Sequence, residues 1–432
     1  MGLPIFSIIK KKVKGHSAYI NFKRKAKFIL VQLYYRKTAR RIRKKAVTKK
    51  LKVLFYTNEP QKWAYDSLYK ELESSPIFSP LIVVVPRYAV HLGKDDTRMS
   101  LTEQYNFYKK KGFNVTYGYE NGQYLAIKKF NPDILFYMQL AEIPGVDSPY
   151  IVAKYALTAY CPYAYSFSDY TKQYLEDFHR ILYVNYVEHE LTIKRYESYH
   201  NGNSKNCVSV GYPKLDEYLS PLSHTTKEIW KDSSKFKIIY APHHSFFASK
   251  YNTFKWGTFH KNNQIILNLA KEHPETTWIF KPHPMLRKVI VSHGLMTEKE
   301  AANYYNEWNT IGTLYDSGDY IELFRTSNLM ITDCGSFLAE YIPSGNPIIR
   351  LINDEGIPLN ELGENFSNYF YVAHNENELL HLFNTIVVQK KDPLHETRNS
   401  LQWKIVDREE SSAHKIYKDL LARIKIKYNK QS

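Results

Sequence analysis

Cysteine is scarce in this 432-residue chain: Cys161, Cys207 and Cys334 stand far apart and form no CxxC pattern. That spacing excludes a disulfide scaffold and a structural zinc motif, and it suits a reducing compartment. Long apolar runs are missing too. The longest early one, Phe28-Ile29-Leu30-Val31, is far too short to span a bilayer. No apolar core followed by a cleavage site marks a signal peptide, and no internal repeat or low-complexity tract stands out. Acidic residues are absent from the first fifty positions, which hold 17 Lys and Arg. The formal net charge is +17, so positions 51–432 balance 43 basic against 43 acidic residues. A uniformly basic fold is thereby excluded.

What is present is a basic N-terminal segment joined to a globular body. In residues 1–50 the clusters Lys10–Lys14, Lys23–Lys27 and Arg40–Lys45 alternate with Ile, Phe, Tyr and Leu. This reads as a helical arm that lays its apolar side at an anionic membrane surface, its cations each worth roughly 1 kcal/mol there. A nucleic-acid arm would carry similar charge but has less use for Phe28-Ile29-Leu30-Val31. No nucleic-acid partner is expected. The expected location is the cytoplasmic face of the cell membrane, held peripherally.

At this length two domains are the prior. From Leu51 onward, apolar runs such as Leu51–Tyr56, Leu81–Val85 and Ile134–Met138 alternate with helical stretches. Such alternation means βα units around a parallel sheet, and the pattern is carried on through Tyr163-Ala164-Tyr165, Ile181–Val184 and Val208–Val210. Residues 217–236 change to a polar, Pro- and Ser-containing stretch that reads as a linker. A second βα series starts at Phe236. The expected fold is therefore α/β: two doubly wound, Rossmann-like domains at 51–220 and 236–390, the basic arm at 1–50, and C-terminal helices at 391–432. Ligands of such sheets sit in the crevice beyond the strand C-termini.

Three polar clusters each succeed a predicted strand of the second half. These are Ala241-Pro242-His243-His244-Ser245, Lys281-Pro282-His283-Pro284 and Thr332-Asp333-Cys334-Gly335-Ser336. Parallel strands would bring all three to one sheet edge, where imidazoles and a lysine can hold a diphosphate and stabilise a leaving group. His283, His243 and His244 are the candidate catalytic residues, since imidazole titrates near neutral pH. Lys281, Thr332, Asp333, Gly335, Ser336 and Glu340 are the candidate donor-binding residues. The strand–turn–helix at 329–342 would offer backbone N–H groups to a phosphate, with Gly335 allowing close approach and Ser336 adding a hydroxyl. Glu340, one turn on, would accept from a ribose. Adjacent imidazoles rarely converge on one ion and no third ligand is evident in sequence, so no metal is expected.

The ordered set Gly211-Tyr212-Pro213-Lys214-Leu215-Asp216, Ile239-Tyr240-Ala241-Pro242, Lys281-Pro282-His283-Pro284 and Thr332-Asp333-Cys334-Gly335-Ser336 resembles the CDP-glycerol glycerophosphotransferases of teichoic-acid and capsule synthesis. The resemblance covers about 205–350 and implies a GT-B-like, peripheral membrane enzyme. It places His283 on the family's histidine, Gly335 and Ser336 on its serine pair, and Glu340 on its acidic position. Two departures stand out. The family's His-Gly-Thr-Pro-like element is absent, Tyr160–Tyr165 occupying its place in the order, and Lys214 and Leu215 replace the usual Arg and Asn. The activity implied is transfer of a polyol phosphate from a CDP-linked donor to a glycan or lipid-linked acceptor, with no cofactor. The alternative is a GT-B glycosyltransferase using a nucleotide sugar.

Overall fold

The computed structural model describes residues 17–89, 94–96, 100–138, 147–171, 174, 177–200, 204–222, 229–247, 254–316 and 319–425. The sequence readings at residues 1–16, the Lys10–Lys14 cluster included, lie outside that set.

Two parallel sheets form the body. The first contains β1 (Leu51–Thr57), β2 (Phe78–Val84), β3 (Val115–Tyr117), β4 (Ile134–Tyr137), β5 (Leu157–Tyr160), β6 (Val184–Val187) and β7 (Cys207–Ser209). Its order is β7-β6-β5-β4-β1-β2-β3. The second contains β8 (Phe236–Ala241), β9 (Thr276–Phe280), β10 (Thr313–Leu314), β11 (Leu329–Thr332), β12 (Ile348–Leu351) and β13 (Tyr371–Ala373), in the order β10-β9-β8-β11-β12-β13. The central strands are buried on both faces because helices cover them; β4, β5, β6, β9 and β11 are buried at every residue.

Two elements differ from the sequence expectation. Tyr163-Ala164-Tyr165 is not a strand. The strand is Leu157–Tyr160, after which Pro162 turns the chain toward the second domain, where Tyr165 and Phe167 join a core with Leu338 and Phe366. Ile181 ends a short helix, and the strand begins at Val184.

The basic arm is no detached appendage. Helix α1 (Ser17–Ala46) buries Val31, Tyr35, Ala39 and Ile42 in the first domain's core. The Tyr35 hydroxyl bonds Thr158 and donates to the Ile181 carbonyl at 2.8 Å. Arg41 and Lys45 pair with buried Asp133 at 3.2 and 2.5 Å. The i, i+4 spacing of these apolar residues makes one stripe, and that stripe is spent on the domain rather than on a bilayer. The last described helix, α2 (Ser412–Arg423), returns to the same core through Ala413, Ile416 and Leu420. Among the described residues, no helix is long and apolar enough to cross a membrane.

Candidate active site

Strands β8, β9 and β11 are neighbours in parallel register, Tyr240 opposite both Phe280 and Ile331. The loops at their C-terminal ends therefore leave the sheet at one edge, as the apolar runs imply. There the rings of His243, His244 and His283 form one cluster, with centroids 4.5, 4.8 and 4.0 Å apart. The His283 N–H donates to the Pro242 carbonyl at 3.0 Å and ties the first two loops together.

Thr332 and Asp333 hold this edge in shape. The Thr332 hydroxyl donates to the Ala241 carbonyl at 2.6 Å and accepts from the Cys334 N–H at 3.0 Å. The Asp333 carboxylate, 2% exposed, accepts from the backbone N–H groups of His243 and Thr258, each at 2.5 Å, and from the Thr258 hydroxyl at 2.8 Å. Burial pushes its pKa up to about 6 against the pull of these bonds. Both side chains are thus engaged within the protein, and they hold the loop that carries His243.

The glycine of the third cluster has a different reason from the one the sequence suggests. A Cβ on Gly335 would run into the Trp256 ring, so glycine here admits an indole. The helix it opens, Gly335–Tyr341, is only seven residues long. Ser336 lies beside it with its Oγ 3.6 Å from the Cys334 sulfur. Glu340 is almost fully buried and accepts from the Tyr320 hydroxyl at 2.5 Å. Burial first, opposed by the nearby Lys214, carries its pKa to about 7.

Lys281 supplies the charge. It is 8% exposed, and its ammonium stands 5.0, 4.9 and 5.8 Å from the ring centroids of Tyr315, Tyr320 and Phe337. Rings attract a cation through their quadrupole but do not neutralise it. No carboxylate of the described residues forms an ion pair with it. Burial, then repulsion from Lys214, brings its pKa down to about 8. Lys214 also approaches the Tyr320 ring, 4.4 Å from its centroid. The Gly211–Asp216 segment that carries Lys214 is built into the domain junction. Its Tyr212 hydroxyl donates to the Tyr163 carbonyl at 2.7 Å, and the Asp216 carboxylate caps α2 through the Ser412 and Ala413 N–H groups at 2.8 and 2.9 Å. Lys111 closes the junction further out, pairing with Asp66 of the first domain and Asp319 of the second.

Hydrogen bonds also fix what the imidazoles can do. Nδ1 of His243 accepts from the Ser245 N–H at 3.3 Å, and Nδ1 of His283 accepts from the Met285 N–H at 3.0 Å. A ring nitrogen that accepts carries no proton, so in the neutral form the His283 proton sits on Nε2. Nδ1 of His243 also lies 2.7 Å from the Ser245 hydroxyl, which can donate to it or accept from it. Burial, and then His244, push the His243 imidazolium well below its ordinary pKa. A neutral His283 ring with its proton on Nε2 is a hydrogen-bond donor, while His243 can present either tautomer. One ring nitrogen from each of the three histidines lies within 4.8 Å of the others, so a third potential ligand, not evident in sequence, is present. Ligation through Nε2 of His283 would require its ring proton to move to Nδ1, breaking the Met285 contact.

Two cavities flank the edge, each of about 230 Å³. One adjoins Pro282, His283, Tyr305 and Asp316. The other lies past β12, between Trp256, Arg350 and Asn353. The sequence reading missed Trp256, Tyr320, Asp316 and Arg350, because none lies in a strand-end cluster. Lys214 was visible only as a departure from a motif.

The family described as CDP-Glycerol:Poly(glycerophosphate) glycerophosphotransferase matches residues 163–399. No curated protein matches the chain. Among solved structures, the S. aureus MnaA–UDP complex is 13% identical with a TM-score of 0.58, covering 89% of this chain and 99% of that one. The Methanocaldococcus jannaschii UDP-GlcNAc 2-epimerase, in complex with UDP-GlcNAc and UDP, is 15% identical with a TM-score of 0.56, covering 87% and 100%. A glycosyltransferase from Rickettsia africae ESF-5 is 12% identical with a TM-score of 0.52, covering 87% and 99%. These likenesses show the fold, two parallel α/β domains in the GT-B arrangement.

Proposed function

The chain belongs to the CDP-glycerol:poly(glycerophosphate) glycerophosphotransferase family, and from that premise we propose that it moves glycerol phosphate, or a similar polyol phosphate, from a CDP-linked donor to a glycan or lipid-linked acceptor in cell-surface polymer synthesis. The single observation that carries the donor side is Lys281, a buried ammonium caged by aromatic rings, with no ion-pair partner among the described residues, on the same strand end as His283 of the imidazole cluster. A buried cation without a counter-ion is costly alone and becomes favourable when an anion arrives.

In the reaction, an acceptor hydroxyl oxygen attacks the phosphorus that bears the glycerol. The bond from that phosphorus to the bridging oxygen breaks, CMP leaves with the bonding pair, and the hydroxyl hydrogen departs as a proton. Negative charge grows on the bridging oxygen, where Lys281, the Nε2–H group of His283 and the neighbouring His243 ring stabilise it most. Glu340, one helical turn in, is the acid for the ribose.

The outward side of α1 supports membrane docking of a kind different from the one its composition suggests. Ile29, Leu30 and Leu33 are 60%, 47% and 52% exposed, and Arg36, Lys37, Arg40 and Lys44 add charge along the same helix. We place the enzyme peripherally on the cytoplasmic face of the cell membrane through that side. The protein should sediment with vesicles of anionic lipid and not with neutral ones; equal sedimentation would refute this. A thermal-shift panel tests the donor, since binding to the native state raises its apparent stability. CDP-glycerol, CDP-ribitol or CMP should raise the melting temperature; a shift with UDP-sugars alone would favour the nucleotide-sugar alternative.

A further inference from the structure

Past the C-terminal ends of β9 and β10, against His283, lies the first of the two cavities. At about 230 Å³ it is smaller than the roughly 300–1,000 Å³ of a cleft that takes a whole drug-sized ligand, and it suits one planar ring. Pro282 and Pro284 give it apolar walls, Tyr305 a nearly buried ring, and Asn306 and Asp316 its polar groups. Arg287, also on its wall, is engaged by Glu298 at 2.5 Å. Asp316 is exposed, and no cation of the described residues forms an ion pair with it. Tyr315, which directly precedes it, has its ring centroid 5.0 Å from the Lys281 ammonium, and His283 stands on the cavity wall, which puts the cavity beside the diphosphate site. The cavity past β12 differs. There the Arg350 guanidinium lies 5.2 Å from the Trp256 ring centroid, with Asp333 and Asp354 on the walls, a charged lining that suits a polyol or phosphate.

We infer that the cavity beside His283 receives the nucleobase of the donor and that Asp316 selects cytosine over uracil. The assignment rests on the donor reading and adds its base-recognising residue. Cytosine carries an exocyclic amino group where uracil has a carbonyl. An ionised carboxylate can only accept, so Asp316 gains a charge-assisted bond from the cytosine N4 amine and meets only a second acceptor at uracil O4. The proline and tyrosine walls hold the ring without choosing between pyrimidines.

Isothermal titration of the full chain with CDP and with UDP tests this, using wild type, Asp316→Asn and Asp316→Ala, with circular dichroism to confirm folding. Wild type should prefer CDP by about tenfold or more. In Asp316→Asn, whose amide can donate to O4, CDP binding should fall about 5- to 100-fold while UDP binding holds or improves. Asp316→Ala should lose the preference without gaining UDP. Retention of the full CDP preference in both variants would overturn the assignment while leaving the donor reading intact. Wild type binding neither nucleotide would defeat the donor reading and the assignment with it.

Discussion

Replacing Lys281 by methionine keeps its length and most of its contact with Tyr315, Tyr320 and Phe337 but removes the ammonium. A hydrogen bond to a charged group contributes about 1.5–3 kcal/mol, so CDP affinity should fall about 10- to 150-fold at pH 7. The pH dependence makes the test specific. Burial and Lys214 bring the Lys281 pKa down to about 8, so the free protein loses this charge as pH rises through that value. The terminal phosphate of CDP ionises near pH 6 and is mostly dianionic from pH 7 upward. Through Lys281, affinity should weaken as pH rises through about 8, to about tenfold lower at pH 9 than at pH 7. The Lys281→Met protein should be weak and flat above pH 7, and Lys281→Arg, whose guanidinium stays charged, should lose the alkaline fall. Calorimetric titration with CDP at half-unit steps measures all three. Wild-type affinity unchanged between pH 7 and 9.5, or a methionine variant within twofold of wild type, would refute the role given to this lysine.

Asp333→Ala leaves three buried donors, on His243 and Thr258, without their acceptor. At about 1–3 kcal/mol each, urea unfolding should show a loss of about 3 kcal/mol or more, and CDP binding should weaken because the His243 loop is released. Tyr35→Ala should lower stability by about 3–5 kcal/mol, since Tyr35 is 1% exposed in the first domain's core. Tyr35→Phe should cost less, losing only the bonds to Thr158 and Ile181. A Tyr35→Ala protein as stable as wild type would refute the arm's part in the first domain's core.

The sheet strands that form the site were legible because each holds an apolar run, Ile238–Ala241, Trp278–Phe280 and Leu329–Ile331, and parallel pairing then carries three polar clusters to one edge without further information. Clusters read in isolation were less informative. Gly335 has the same letter whether it cradles a phosphate or clears space for Trp256, and only the fold brings that indole, 79 positions earlier in the chain, against it. The arm's docking on the first domain was hidden for a related reason. Its excess of Lys and Arg is plain, yet the acid that receives two of them, Asp133, is a single residue far along the chain. The tautomer of His283 depends on a backbone N–H two residues on, and turn geometry of that kind has no sequence signature. Leu157–Tyr160 was passed over because Thr and Ala interrupt its large apolar residues, although all four are buried.

A transferase that splits a CDP-linked polyol phosphate at the edge formed by β8, β9 and β11 must release CMP. The most direct measurement is CMP release by the purified full chain given CDP-glycerol and a lipid-linked glycan acceptor, with UDP-sugars in parallel. CMP should appear only with acceptor present, in step with glycerol phosphate added to it, and Lys281→Met should reduce the rate by about 10-fold or more. Absence of CMP release alongside UDP release from a nucleotide sugar would contradict the account.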